Sequence, residues 1–291
     1  MRYAVRGKDI VLTDYDSFVI SQTLECGQCF RFEMIDDENY VVIAFDRVLN
    51  IYQNGEEIVF ADTTEDDFNN IWRNYFDLDR DYMGIKLKIS ENDEVLKKAV
   101  EYAPGIRILN QDRFECLISF IISQNNRIPM IKKVIENISA KYGKYIGDFN
   151  GKSYYSFPKP EELALADEAG LMECKTGFRA KYIIDAVGRV LTGLTELEDD
   201  GVDTETLRKR LMEIKGVGPK VADCVMMFSF GRCETFPTDV WVKRIMSELY
   251  FNGADASVKE IHRKAEECFG EYAGYAQQYL FNYARQFKIG A

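Results

Sequence analysis

The chain has 291 residues, with 48 acidic against 37 basic side chains, a formal net charge of −11, seven cysteines and one histidine. A chain of this length can bury sizeable cores and has room for two domains, and an odd number of scattered cysteines argues for reduced thiols rather than a disulfide framework. No apolar run approaches the ~20 residues that span a bilayer, and the opening Met1 to Lys8 lacks a signal-peptide core, so a soluble cytoplasmic protein with no membrane partner is expected.

In chain order, the first motif is Cys26-Gly27-Gln28-Cys29, a Cys-x-x-Cys with no second pair nearby, which does not make a zinc site. Tyr40 to Phe45 is a β-rich run, and Arg47 to Gln53 and Glu57 to Phe60 flank Asn54-Gly55, a strong hairpin signal. These predict an antiparallel sheet, followed by a helix near Thr64 to Asn74. After Pro104 the texture becomes helical: Phe114, Leu117, Phe120 and Ile121 recur at helical spacing. Further helices are predicted near Pro129 to Ala140, Glu161 to Glu168, Phe178 to Leu191, Thr204 to Ile214, Pro219 to Phe228, Val240 to Leu249, Ser257 to Phe269 and Gly274 to Lys288. The expected class is α+β: an N-terminal antiparallel β-sheet domain with helices over residues 1–104, then an all-α domain over 105–291. The lone His262 falls in a charged helix expected to be solvated, which excludes multi-histidine metal sites.

The most informative stretch is Leu211 to Cys224. Leu211 and Ile214 keep a helical period, Gly216 and Gly218 permit a tight turn, and Pro219 suits the first position of a new helix. The segment therefore reads as helix, hairpin, helix. Amides at such a turn, added to the positive end of the next helix, make an anion site suited to a backbone phosphate. Lys220 lies in the first turn and Cys224 four residues on, so an amine and a thiol share one helix face. Between Leu207 and Lys220 stand Arg208, Lys209, Arg210, Lys215 and Lys220 against the single Glu213. The local charge is positive although the chain is acidic, much of the acidity lying in Asp36 to Glu38, Glu65 to Asp67 and Glu196 to Asp200. Nineteen residues after Lys220 comes Asp239, in Thr235-Phe236-Pro237-Thr238-Asp239-Val240-Trp241, where it can also cap the following helix.

This constellation resembles the helix-hairpin-helix (HhH-GPD) base-excision glycosylases, which carry a Lys just after the hairpin and an Asp at this interval. Within that superfamily the chain is most similar to the 8-oxoguanine DNA glycosylases. Leu24 to Arg31, Tyr75 to Asp79, Ile122 to Asn126 and Gly274 to Phe281 match the family's other blocks in order. The resemblance implies a DNA glycosylase and abasic-site lyase acting as a monomer on duplex DNA containing oxidised guanine. Lys220 would attack the sugar C1′ and form a Schiff base that permits β-elimination. To do so the amine has to be neutral, a state favoured by desolvation and by the helix terminus. Asp239 would offset the positive charge that develops on the sugar. The Gly27 carbonyl would accept from N7–H, a hydrogen present in 8-oxoguanine and absent from guanine. The flipped base would stack between Cys224 and Phe281, Gln277 would read its Watson-Crick edge, and a Lys220–Cys224 dipole would favour the lesion. On the opposite strand Asn125 would fill the vacated stack and Arg179 would reach into the helix beside the orphaned base.

The chain departs from the family pattern at three positions. Phe178 stands where a tyrosine wedge is usual, Met130 where an arginine reads the opposite cytosine, and Trp241 where a histidine binds phosphate. Methionine cannot donate to a base edge, so relaxed preference for the opposite base is expected. No organic cofactor is implied, and carbonyls around Gly216 and Gly218 could hold a structural cation. Two other readings are an alkylated-base glycosylase of the same superfamily, which Lys220 argues against, and a non-catalytic damage binder that kept the hairpin. An iron-sulfur member needs four closely spaced C-terminal cysteines, whereas only Cys268 lies beyond Cys233.

Overall fold

The computed structural model describes residues 1–198 and 201–289; Asp199 and Asp200, the end of one acidic run, lie outside the described residues. Six antiparallel strands form the N-terminal sheet: β1 (Arg2–Arg6), β2 (Asp9–Asp14), β3 (Phe32–Asp36), β4 (Asn39–Ala44), β5 (Arg47–Asn54) and β6 (Glu57–Ala61), in the order β1-β2-β6-β5-β4-β3. Asn54 pairs with Glu57 across the turn that Gly55 makes at φ +63°. Alternate residues, Tyr40, Val42 and Ala44 on β4 with Leu49 and Ile51 on β5, face one core together with Phe68, Trp72 and Phe76. On the other face of β4, Val41 and Ile43 pack against Tyr154. Burial on both sides is why β4 reads as an unbroken apolar run rather than an alternating one. The sequence reading named β4, β5 and β6 but not β1, β2 or β3, whose runs are short and carry charges such as Arg2, Arg6, Asp9 and Glu33.

Asp or Ser caps begin several of the helices. Asp93, Asp112, Asp203 and Asp239 each accept a backbone N–H in the first turn, and Ser257 forms a capping box with Glu260. The predicted helix over Glu161 to Glu168 is instead two short ones, Pro160–Leu163 and Glu168–Glu173. Asp167 starts the second by accepting from Gly170 N at 2.7 Å, which forces a break before it. The helical half also contains a two-stranded hairpin, β7 (Tyr145–Phe149) and β8 (Lys152–Tyr155), that the all-α reading left out. Helices Tyr82–Ser90 and Glu94–Tyr102 precede Pro104 in sequence, yet Tyr82, Ile85, Leu96 and Ala99 lie in the helical core. Among the described residues no helix is long and apolar enough to cross a membrane.

Candidate active site

The hairpin forms as its sequence directs. Helix Thr204–Met212 ends, Val217 N donates to Ile214 O at 3.0 Å, and helix Pro219–Ser229 starts with Pro219 in its first turn. Gly216 sits at φ +81°, and a Cβ there would fall 2.4 Å from the Tyr182 ring, so both conformation and space require glycine. The surrounding cations are less available than their number suggests. Arg208 is held by the fully buried Asp223 at 2.7 Å and by Glu205 at 2.6 Å, and Lys215 by Asp185 at 3.4 Å.

Lys220 projects from that helix start into a cleft lined by Gly27, Phe120, Lys220, Cys224, Phe228, Pro237, Asp239, Gln277, Gln278 and Phe281. Its ammonium lies 5.1 Å from the centroid of Phe120, which stacks on Phe228. The free volume of the cleft is about 50 Å³, below that of a ligand-sized pocket. Thus six residues singled out from the sequence, Lys220, Asp239, Gly27, Cys224, Gln277 and Phe281, meet in one place, although they come from the N-terminal region, the hairpin helix, the loop after it and the C-terminal helix.

Each is held by identifiable contacts. Asp239 caps helix Val240–Tyr250, its Oδ1 accepting from Val242 N at 2.8 Å. The preceding Thr238 hydroxyl meets the His262 ring at 3.2 Å. His262 is part-buried here rather than solvated, and burial pushes its pKa below the ordinary value. Gly27 adopts φ +89°, and a Cβ on it would lie 3.3 Å from Phe281 Cε1, so the bare backbone lets the loop lie against that ring. The loop is anchored by Gln28, which is fully buried. Its amide donates to Thr23 O and Arg107 O and accepts from Leu109 N, all within 2.8 Å. The C-terminal helix Ala273–Phe287 is pressed onto the Asp239 loop through Gly274, whose N donates to Cys233 O at 2.7 Å. Gln277 Nε2 then donates to Pro237 O at 3.3 Å.

Cys224 lies on the cleft wall beside Lys220. Burial pushes its thiol up to about 11, outweighing the nearby ammonium that pulls the other way. Near neutrality the thiol keeps its proton, and Cys224 is a buried wall of the cleft.

The residues assigned to the opposite strand lie outside this cleft. Asn125 is exposed at φ +47°, at the end of helix Arg113–Ser123. Met130, Phe178 and Trp241 are all exposed. Arg179 departs from its assignment. Its guanidinium is buried, donating to Thr176 O, Gln124 O and Asn125 O, the last at 3.0 Å. In this conformation it clamps the loop bearing Asn125 instead of projecting outward, because those carbonyls have left the helix and need donors.

Gln28, Phe120, Phe228, Pro237 and Gln278 were not assigned to the site from the sequence. Phe120 and Phe228 carry the same apolar periodicity as core positions, and nothing in a single sequence separates the two roles.

Residues 10–117 match the family model described as 8-oxoguanine DNA glycosylase, N-terminal domain, and residues 118–271 match that of the HhH-GPD superfamily base excision DNA repair proteins. A probable N-glycosylase/DNA lyase of Methanothermobacter thermautotrophicus is 35% identical over 217 residues, 67% of this chain and 68% of that protein. Among solved structures, the chain is similar to the Clostridium acetobutylicum 8-oxoguanine glycosylase/lyase bound to duplex DNA with cytosine opposite the lesion. That likeness has a TM-score of 0.95 and 44% identity over 99% of each chain. The MBOgg1 structure with a low-affinity DNA ligand matches with a TM-score of 0.95 and 46% identity, covering 99% of this chain and 100% of that one.

Proposed function

This chain belongs to the HhH-GPD superfamily of base-excision DNA repair proteins, and from that premise we propose that it is a bifunctional 8-oxoguanine DNA glycosylase and abasic-site lyase. The observation that carries the reading is the convergence of the Lys220 amine, the Asp239 carboxylate and the Gly27 backbone on one cleft. The oxidised nucleotide leaves the duplex and enters that cleft. Asp239, held at its helix start, needs no reorganisation to face the positive charge that builds on the sugar. The neutral Lys220 amine adds to C1′ as the C1′–N bond breaks, its electron pair leaving with the base, which takes up a proton. The adduct loses its N–H proton as the C1′–O4′ bond breaks, O4′ taking up a proton, which gives a Schiff base; this acidifies C2′, loss of a C2′ proton expels the 3′ phosphate, and water returns Lys220 to the free amine. The Gly27 carbonyl accepts from N7–H of the oxidised base, and a mispaired acceptor facing ordinary guanine costs about 1–3 kcal/mol.

No step draws on an organic cofactor, and a cation at the hairpin carbonyls would serve only as support. The direct test is incubation with duplex DNA carrying a single 8-oxoguanine: excision followed by strand nicking supports the reading, and binding without either reaction returns the chain to the class of damage binders.

Exposed Met130 bears on partner choice. Lacking a donor for the base opposite the lesion, the protein is expected to excise 8-oxoguanine at similar rates opposite all four bases. Met130→Arg should restore preference for cytosine by tenfold to hundredfold, the effect of a direct base contact of about 1–3 kcal/mol. Single-turnover rates on the four duplexes check both statements; strong cytosine preference in the unaltered protein would contradict them.

A further inference from the structure

The cleft contains a polar group that the reading above does not use. Gln278 is 3% exposed, lines the cleft beside Gln277, and its Oε1 is buried with no hydrogen-bond partner. Gln277 Oε1 is buried and unpartnered in the same way, its Nε2 being taken by Pro237 O. Unmade hydrogen bonds of buried amides are uncommon because they cost stability, and each one asks what satisfies it. Two such oxygens belong to residues that line one cleft, and a ligand bringing a pair of donors would satisfy both. Among bases, the Watson-Crick edge of guanine and of its 8-oxo form offers that pair, N1–H and the N2 amino group. Adenine places a bare acceptor at N1, where a carbonyl oxygen is repelled.

We propose that Gln278 is a second specificity-determining residue, its Oε1 accepting with Gln277 Oε1 from the two edge donors of a guanine-type base. The inference rests on the proposed glycosylase activity. It adds a separate reason why the cleft takes guanine-type bases: Gly27 tells oxidised from ordinary guanine, whereas the paired glutamines tell guanine from adenine.

Gln278→Met removes the amide while keeping an unbranched side chain of similar size. Single-turnover excision of 8-oxoguanine should fall tenfold to hundredfold, while nicking of a duplex with a preformed abasic site, which has no base to read, stays within about twofold. A second probe uses the unaltered protein on 8-oxohypoxanthine, which lacks the N2 amino group. Excision should be roughly tenfold slower than for 8-oxoguanine, as expected for one lost hydrogen bond. Wild-type excision by Gln278→Met, or equal loss of excision and abasic-site nicking, would overturn the proposal. If the variant does not fold, equal rates on the two bases by the unaltered protein would overturn it just as well. An unaltered protein inert on both duplexes would refute the activity itself and this inference with it.

Discussion

Lys220→Gln is expected to abolish borohydride trapping of the protein on lesion-bearing DNA and to lower excision at least about a thousandfold, because glutamine fills similar space but cannot form a Schiff base. The geometry makes this a clean test. Lys220 is part-buried in the first turn of its helix, its ammonium meeting the Phe120 ring and the Cys224 thiol, so substitution leaves the backbone and the hairpin intact. The lost contact with Phe120 is of the cation–π kind, about 0.5–1 kcal/mol where solvent reaches the site, and changes the melting temperature little. Trapping that persists in Lys220→Gln would place the nucleophile elsewhere and remove the basis of the lyase assignment.

Asp239→Asn should separate two roles of one side chain. Asparagine caps a helix about as well as aspartate, so the bond to Val242 N survives and stability changes by only a few tenths of a kcal/mol. The negative charge facing the sugar is gone, and excision should fall by about 10²–10³-fold, the scale on which preorganised electrostatic groups act. Asp239→Ala loses the cap as well and should cost about 1 kcal/mol more, a lowering of the melting temperature by about 2 °C. Thermal melts beside single-turnover rates decide the matter: loss of stability in Asp239→Asn equal to that in Asp239→Ala would mean the carboxylate is chiefly a cap.

Two features of the free protein refine what those experiments address. The Cys224 thiol holds its proton more firmly than an ordinary cysteine, because burial outweighs the pull of the Lys220 ammonium. Arg179 is committed to the carbonyls of Gln124 and Asn125, which makes it the clamp of the loop that bears Asn125.

Much of the site was legible in the sequence because its signals are local. A glycine hairpin, a proline at the next helix start, a lysine one residue on and an aspartate at a cap are all expressed within short windows, where backbone preferences decide the outcome. The long helices were readable for the same reason: their caps and apolar periods repeat every few residues. The three unassigned strands and the β7–β8 hairpin depend on partners far along the chain, and a short charged strand such as β1 has no local preference strong enough to announce itself.

What the sequence determined by itself is the chemistry at hand: an amine, a carboxylate and a flexible glycine backbone, each in a segment that folds by its own rules. Only the tertiary structure decided that these segments meet, that burial raises the pKa of Cys224, that the Arg179 guanidinium turns inward, and that two amide oxygens of cleft-lining residues are left unpaired. Those outcomes depend on desolvation and on which groups from distant segments lie within hydrogen-bonding reach, and neither quantity exists until the chain has packed.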